Sequence, residues 1–308
     1  MTSSREIRVV TRGSALALTQ TTHLVEILKT HNPECVFKII TKTTTGDKVT
    51  DRPLSQFRGI GVFVKELEKA LAAGEADLAV HSLKDVPVER DEGLTLAAFP
   101  LRKEPFDVLL TKEKIRFEDL GHGAIIGTSS PRRFVQLKAA RPDLVFKDLR
   151  GNVDTRIRKL ADGQYDGIIA AAAGMGRLGL AYSENGILPF DLCLPAAGQG
   201  CLAVECRESD EAVRTIAGTV DHADTRIEIT VEREFLKAVG GGCQTPIAVY
   251  AKINKDMLTV SGVIGDEDTA MLVRDSLTTP VSKTTGAGAV LAERMIDQCA
   301  KSNVRIIR

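Results

Sequence analysis

The sequence predicts an α/β protein: two lobes of similar strand-and-helix grammar, then a small α+β domain with a three-stranded antiparallel sheet. Three observations carry this. Short β-branched apolar runs alternate with helix-length segments up to about residue 100, and the alternation restarts after about residue 105. After about Ala223 it gives way to one helix, three strand-like runs joined by polar turns, and a last helix.

In the first lobe, Ile7 to Thr11 reads as a buried strand running into Arg12-Gly13-Ser14, with Ser14 placed to cap a helix over Ala15 to Leu28. Val36 to Thr41 is a second strand. A helix from about Val62 to Ala73 closes at Gly74, where a left-handed residue suits a helix end. Asp77 to Val80 is a third strand and ends in His81-Ser82-Leu83-Lys84-Asp85.

The second lobe opens with strand Ile125-Ile126. Gly127-Thr128-Ser129-Ser130-Pro131-Arg132-Arg133 then starts a helix, with Pro131 at the first helical position, where its missing N–H is harmless. Leu144 to Leu149 is a strand, followed by Arg150-Gly151-Asn152 and a helix around Val153 to Ala161. Asp166 to Ala172 is a further buried strand. This grammar predicts a mainly parallel sheet in each lobe. Pro100 to Pro105 and Leu194 to Gly200 read as hinges, so residues 1–100 with 201–219 form the first lobe, 106–194 the second, and 223–308 the third domain. In the third, a helix through Val231, Phe235 and Leu236 ends in Gly240-Gly241-Gly242-Cys243. Runs Ile247 to Ile253, Leu258 to Ile264 and Met271 to Leu277 follow as hairpin strands, and Ala287 to Ala300 is the covering helix.

Composition excludes several classes. The 308 residues carry 41 Lys+Arg against 41 Asp+Glu, so no net charge recommends a nucleic-acid partner, and the absence of Trp argues against a base-stacking platform. No run of 18 apolar residues exists, which excludes a membrane-spanning helix. The amino terminus shows no signal-peptide core. Cysteines 35, 193, 201, 206, 243 and 299 are scattered, with no C-x-x-C pair, which argues against zinc and against a disulfide framework. A reducing cytoplasm is the expected location, and no metal site is expected.

Cations and hydroxyls gather at the strand-to-helix junctions: Arg12 with Ser14, Lys84, Ser129 to Arg133, and Arg150 with Arg156. In open parallel sheets, ligands sit beyond the carboxyl ends of strands, where free N–H groups and helix dipoles favour anions. Arginines add bidentate grips on carboxylates. Any one of them alone is better explained by surface ion pairing; the set together points to a polyanion. A phosphate remains open as the anion, although no P-loop pattern is present. Asp85, directly after Lys84, suits an ionised carboxylate that stabilises a cation, or an ion-pairing role. His81 reads as a packed residue at a strand end. Cys243 follows three glycines in a turn, a setting for a reactive thiol or an inert one. Cys35, Cys193 and Cys299 read as packing residues.

The ordered set Thr11-Arg12-Gly13-Ser14, Thr45-Gly46-Asp47, Phe63-Val64-Lys65-Glu66-Leu67, Val80 to Pro87, Gly127 to Ser130, Leu149 to Asn152, Gly198-Gln199-Gly200 and Gly241-Gly242-Cys243-Gln244 closely resembles the porphobilinogen deaminases over almost the whole chain. The resemblance implies two lobes similar to type II periplasmic binding proteins plus a third domain. It further implies a dipyrromethane cofactor attached through Cys243, porphobilinogen as substrate, and a monomer. By the same resemblance Asp85 is catalytic. Lys84, Thr128, Ser129, Ser130, Arg132 and Arg133 hold the cofactor. Arg12, Ser14, Gln20, Arg150, Arg156, Arg177 and Gln199 hold substrate or growing chain. Three positions depart from the family pattern: Ile60 in Gly59-Ile60-Gly61 where many members have Lys, Gly240 where an acidic residue often stands, and Pro131 in place of an apolar residue. A competing reading is a two-lobed receptor for a small anion; the missing export signal and the extra domain with Cys243 count against it.

Overall fold

The computed structural model describes residues 5–44, 64–89, 91–242 and 245–306. Its chain divides into two compact units, Met1–Lys103 with Cys201–Arg226, and Glu104–Gly200 with Ile227–Arg308.

The first unit is built on a five-stranded sheet of order β2-β1-β3-β10-β4. Its strands are β1 (Arg5–Arg12), β2 (Cys35–Lys42), β3 (Leu78–Ser82), β4 (Leu94–Ala98) and β10 (Leu202–Arg207). Helix α1 (Ala15–His31) begins where the sequence places it, because the Ser14 hydroxyl accepts the Ala17 N–H at 3.3 Å and satisfies one orphan donor of the first turn. Its buried Leu24, Val25 and Leu28 pack with Ile7, Val9, Leu78 and Val80 on one face of the sheet. Helix α2 (Lys65–Ala72) lays Leu67, Ala70 and Leu71 against Val10 and Ala79 on the other. This is the period-two alternation of a sheet covered on both faces. Gly74, at φ +69°, follows α2 as expected.

The second unit repeats that plan in the order β7-β6-β8-β5-β9. The strands are β5 (Asp107–Thr111), β6 (Ile125–Gly127), β7 (Val145–Lys147), β8 (Gly167–Ala171) and β9 (Ile187–Leu188). Its helices are α3 (Pro131–Ala140), α4 (Val153–Ala161) and α5 (Ala172–Arg177). Pro131 stands at the start of α3, as its fixed φ favours.

Both sheets are mixed rather than mainly parallel. In the first, β1 pairs parallel with β2 and β3, but β10 is antiparallel to β3 and β4. In the second, β6 pairs parallel with β7 and β8, and β5 is antiparallel to β8 and β9. In each case the reversed strand directly follows one of the two proline-bearing connections, so the chain enters the sheet from the opposite edge. Periodicity cannot report that direction. A short antiparallel strand and a short parallel one share the same apolar run.

The second unit also holds the three-stranded antiparallel sheet β11 (Ile247–Asn254), β12 (Met257–Gly265) and β13 (Leu272–Pro280). Helix α8 (Ala287–Lys301) and the later part of α7 (Ala223–Val239) pack on it through Leu291, Met295, Val231 and Phe235. Gly262 permits this: a Cβ there would stand 2.8 Å from both the Met295 sulfur and the Phe235 ring. The remaining helix, α6 (Glu211–Gly218), buries Val213, Ile216 and Ala217 in the first unit's core.

Candidate active site

Mixed pairing has a chemical consequence. An antiparallel strand begins at the edge where its parallel neighbours end, so its first residues join their carboxyl ends. In the first unit, Leu202 lies opposite Ser82, and the Leu83 N–H donates to the Cys201 carbonyl at 3.0 Å. In the second, Asp107 lies opposite Ala171.

The first unit gathers Arg12, Ser14, Gln20, Lys84 and Asp85 along one edge. Arg12 ends β1, and the parallel register Val10 with Ala79, carried two residues on, brings it level with His81. Lys84 and Asp85 lie in a single 3₁₀ turn, Leu83–Asp85, closed by the Val86 N–H on the Leu83 carbonyl at 3.0 Å. Both are partly buried. Gln20 is a buried residue of α1, and its Oε1 accepts the Ser82 hydroxyl at 3.2 Å. His81 is packed, as the sequence reading has it, with Nε2 2.9 Å from Glu205 Oε2.

In the second unit, Thr128, Ser129, Ser130, Arg132 and Arg133 follow β6, Arg150 and Arg156 follow β7, Arg177 closes the helix after β8, and Gln199 lies in the segment between β9 and β10. Ser129 locks two of these ends together: its hydroxyl donates to the Leu149 carbonyl at 2.9 Å and accepts the Leu149 N–H at 3.0 Å. The Thr128 hydroxyl accepts the Ser130 N–H at 3.2 Å. Arg156 donates to the Gly151 carbonyl at 2.8 Å and Arg177 to that of Gly200 at 2.9 Å. Arg150 is partly buried beyond β7.

Arg132 and Arg133 are buried together, 4% and 6% exposed, and meet on one carboxylate that the sequence reading missed. Asp107 is fully buried. Its Oδ2 accepts Arg132 Nη1 at 2.7 Å; its Oδ1 accepts Arg133 Nη2 at 2.6 Å, Arg133 Nε at 3.1 Å and Gln199 Nε2 at 2.9 Å. Burial by itself would push this carboxyl up. The two guanidinium charges and their hydrogen bonds overcome that and hold it well below the usual carboxylate range. The Cys193 sulfur, 3.5 Å from Asp107, is pushed up to about 12 by burial and by that negative charge, which leaves an inert thiol. Asp107 carries no motif. Two adjacent buried arginines demand an anion, but only the sheet order shows which carboxylate answers.

The segment 194–200 is tied into this unit as well. Gln136 holds both backbone groups of Leu194, at 2.9 and 3.0 Å, while Glu232 accepts the Gly198 N–H at 2.7 Å and the Ala251 N–H at 2.9 Å.

Cys243 and Gln244 lie outside the described residues, as do Ile60 with its flanking glycines, Thr45-Gly46-Asp47 and Phe63. The residues flanking Cys243 are described. Gly240 ends α7 at φ +77°, a conformation glycine adopts without strain, which accounts for a glycine at this departure from the family pattern. The Gly241 N–H returns to the Leu236 carbonyl at 3.1 Å, a Schellman-type closure. A Cβ on Gly241 would collide with Ile247. The Thr245 hydroxyl donates to the Gly242 carbonyl at 2.6 Å and accepts the Gly242 N–H at 3.1 Å. Cys35, Cys193, Cys201, Cys206 and Cys299 are all buried. Among the described residues, no group of His, Cys, Asp or Glu is arranged to hold a metal, and no helix is long and apolar enough to cross a membrane.

Two lobes of one topology, each collecting fixed cations and hydroxyls at the carboxyl ends of its strands, define an α/β protein suited to an anionic ligand. Residues 7–215 match the family model described as porphobilinogen deaminase, dipyromethane cofactor binding domain, and residues 226–297 match porphobilinogen deaminase, C-terminal domain. The chain belongs to the porphobilinogen deaminase family. It is 45% identical over 291 residues to the porphobilinogen deaminase of Syntrophus aciditrophicus, covering 94% of this chain and 95% of that protein. It is likewise 45% identical over 272 residues to that of Brevibacillus brevis, covering 88% of each. Among solved structures it is similar to a YaeC-family lipoprotein from Enterococcus faecalis, at TM-score 0.43 and 15% identity over 72% of this chain and 95% of that one. It is also similar to the VFT2 domain of Bordetella pertussis BvgS, at TM-score 0.42 and 15% identity over 70% and 86%.

Proposed function

We propose that this chain deaminates porphobilinogen and joins four such units head to tail onto a dipyrromethane primer, releasing hydroxymethylbilane and ammonia. The single observation that supports it most is the Arg132–Arg133 pair: two buried guanidinium groups share one carboxylate, Asp107, so a positive charge is left over at the strand ends. A buried excess of one sign calls for a ligand of the other. Each pyrrole of the chemistry carries an acetate and a propionate, so the growing chain is a polyanion, and a set of fixed arginines suits it.

The donor set fits the cofactor. Cys243 would carry it by a thioether; the five described cysteines are buried and leave no competing thiol. Lys84, Thr128, Ser129, Ser130, Arg132 and Arg133 would hold its carboxylates, and when bound it supplies the primer end to which units are added. Arg12, Ser14, Gln20, Arg150, Arg156, Arg177 and Gln199 would bind the side arms of substrate and growing chain. Loss of ammonia from porphobilinogen leaves a cationic azafulvene. Asp85, in its 3₁₀ turn beside Lys84, is the carboxylate that would stabilise it, since a fixed negative charge aimed at a developing cation needs no reorganisation. In this reading residues 1–100 with 201–219, 106–194 and 223–308 act as three domains, and the protein works as a cytoplasmic monomer with no nucleic-acid or membrane partner.

The test is stoichiometric. Purified protein given porphobilinogen should release one ammonia for each porphobilinogen consumed, with hydroxymethylbilane as the product by mass spectrometry. Porphobilinogen recovered intact, with no ammonia, would overturn the proposal.

A further inference from the structure

The turn that carries Lys84 and Asp85 leaves the sheet at the end of β3, and polar contacts grip that strand end from both faces. On the α1 face, the Ser82 hydroxyl donates to Gln20 Oε1 at 3.2 Å. On the α2 face, His81 Nε2 lies 2.9 Å from Glu205 Oε2, with both side chains almost wholly sealed from solvent, 2% and 0% exposed. Between them, the Leu83 N–H donates to the Cys201 carbonyl at 3.0 Å, which ties the first residue of the turn to the segment leading into β10.

Glu205 does not reach His81 by simple opposition. The register pairs His81 with Ala203 and Glu205 with Ala79, so the contact runs diagonally across two residues. The register of β10 against β4 also shifts between Val204 and Glu205. Such an irregularity disrupts the ladder locally and re-aims a side chain, and it is a common companion of functional edges. Here the re-aimed carboxylate spends one oxygen on His81, while its Oε1 is buried with no hydrogen-bond partner. A buried carboxylate with one oxygen unsatisfied is a poor way to gain stability, because apolar residues of similar volume commonly do as well or better. A diagonal hydrogen bond, by contrast, fixes the shear of one strand against its neighbour, and it does so four residues before Asp85.

We propose that the His81–Glu205 hydrogen bond is a positioning device: it sets the height at which β3 delivers Lys84 and Asp85 to the sheet edge. Neither residue touches substrate. They act through the backbone of Ser82 and Leu83, and the inference rests on the reading of Lys84 and Asp85 given above. Catalysis by a fixed carboxylate falls steeply when the group moves by an ångström, whereas binding through many distributed arginines does not.

The experiment uses the cofactor-loaded enzyme, with loading checked by intact mass, in four variants: Glu205→Gln, Glu205→Ala, the double His81→Leu with Glu205→Leu, and Asp85→Ala. The double variant replaces the pair by apolar side chains, so it is expected to melt at or above the parent temperature even if Glu205→Ala fails to fold. Its kcat is expected to fall about tenfold to a hundredfold while KM stays within about threefold, the signature of lost alignment rather than lost binding. Glu205→Gln keeps an acceptor for His81 and is expected to hold kcat within about threefold of the parent. A double variant with parental kcat, or a Glu205→Gln as impaired as the double, would overturn the inference. Asp85→Ala separates the two levels. If it is inactive while the double variant is normal, only the positioning role falls; if Asp85→Ala itself turns over normally, the reading of the turn falls and the positioning role with it.

Discussion

Replacing Asp107 with Asn is the perturbation whose size the structure fixes best. The side chain keeps its shape but loses its charge, in a site with no solvent contact. The carboxylate accepts three hydrogen bonds from Arg132 and Arg133, at 2.6 to 3.1 Å, and one more from Gln199 at 2.9 Å. Removing one partner of a buried ion pair typically destabilises by about 3–5 kcal/mol. With two guanidinium groups stranded, the upper half of that range is expected. For a unit of this size each kcal/mol moves the midpoint by about 2–4 °C, so Asp107→Asn should melt roughly 8–20 °C below the parent. Calorimetry across pH adds a second check. The Asp107 carboxyl is held down in the folded protein, so its contribution is fully present above the unfolded carboxylate value, near about 4, and is lost as pH falls through the folded one. The gap between parent and variant should therefore be constant from neutral pH down to about 5 and narrow in stronger acid. A midpoint within about 2 °C of the parent at pH 7 would refute the account, because it would mean the two guanidinium charges do not depend on this anion.

Other expectations follow from the same structure. Asp85→Ala should keep its cofactor and lose about 10²–10³ or more in kcat, measured as ammonia release; near-normal release would remove the assignment. Glu68 is raised from the ordinary 4.5 to about 7 by burial and by the negative charges of Glu205 and Asp91. Between those values the unfolded chain has lost the proton and the folded one keeps it. That stabilisation is complete below 4.5 and disappears as pH rises through 7, at up to about 1.4 kcal/mol per pH unit. Urea unfolding of Glu68→Gln should show a shallower decline across that window, and an unchanged slope would contradict the shift. Cys243→Ala should give no colour with Ehrlich's reagent; colour in that variant would move the attachment to another residue.

Much of this molecule was legible in its sequence, and the exceptions have physical causes. Ser14 as a cap, Pro131 at a helix start and Gly74 past a helix end are decided within a few residues, and each stands where local chemistry puts it. The hairpin strands of the third sheet were likewise set by their turn residues. Strand direction was not legible, because an apolar run of five reads the same both ways, and so the reversed β5 and β10 were missed. With them went two carboxylates: Asp107, which β5 brings to the strand ends, and Glu205, which β10 sets within the sheet opposite Ala79. The arginines could be named from the sequence, but the anion that two of them share is 25 residues away along the chain. His81 read as a packed residue and is one; that its partner comes from β10 depended on a register no pattern encodes.

The proposed chemistry depends on an oligopyrrole bound covalently to this chain, and intact-mass spectrometry of the native purified protein shows whether one is present. The expected mass exceeds that of the sequence by one dipyrromethane, with the excess mapping to the peptide that contains Cys243. A protein at the bare sequence mass, active on porphobilinogen without any added group, would rule out the tethered primer.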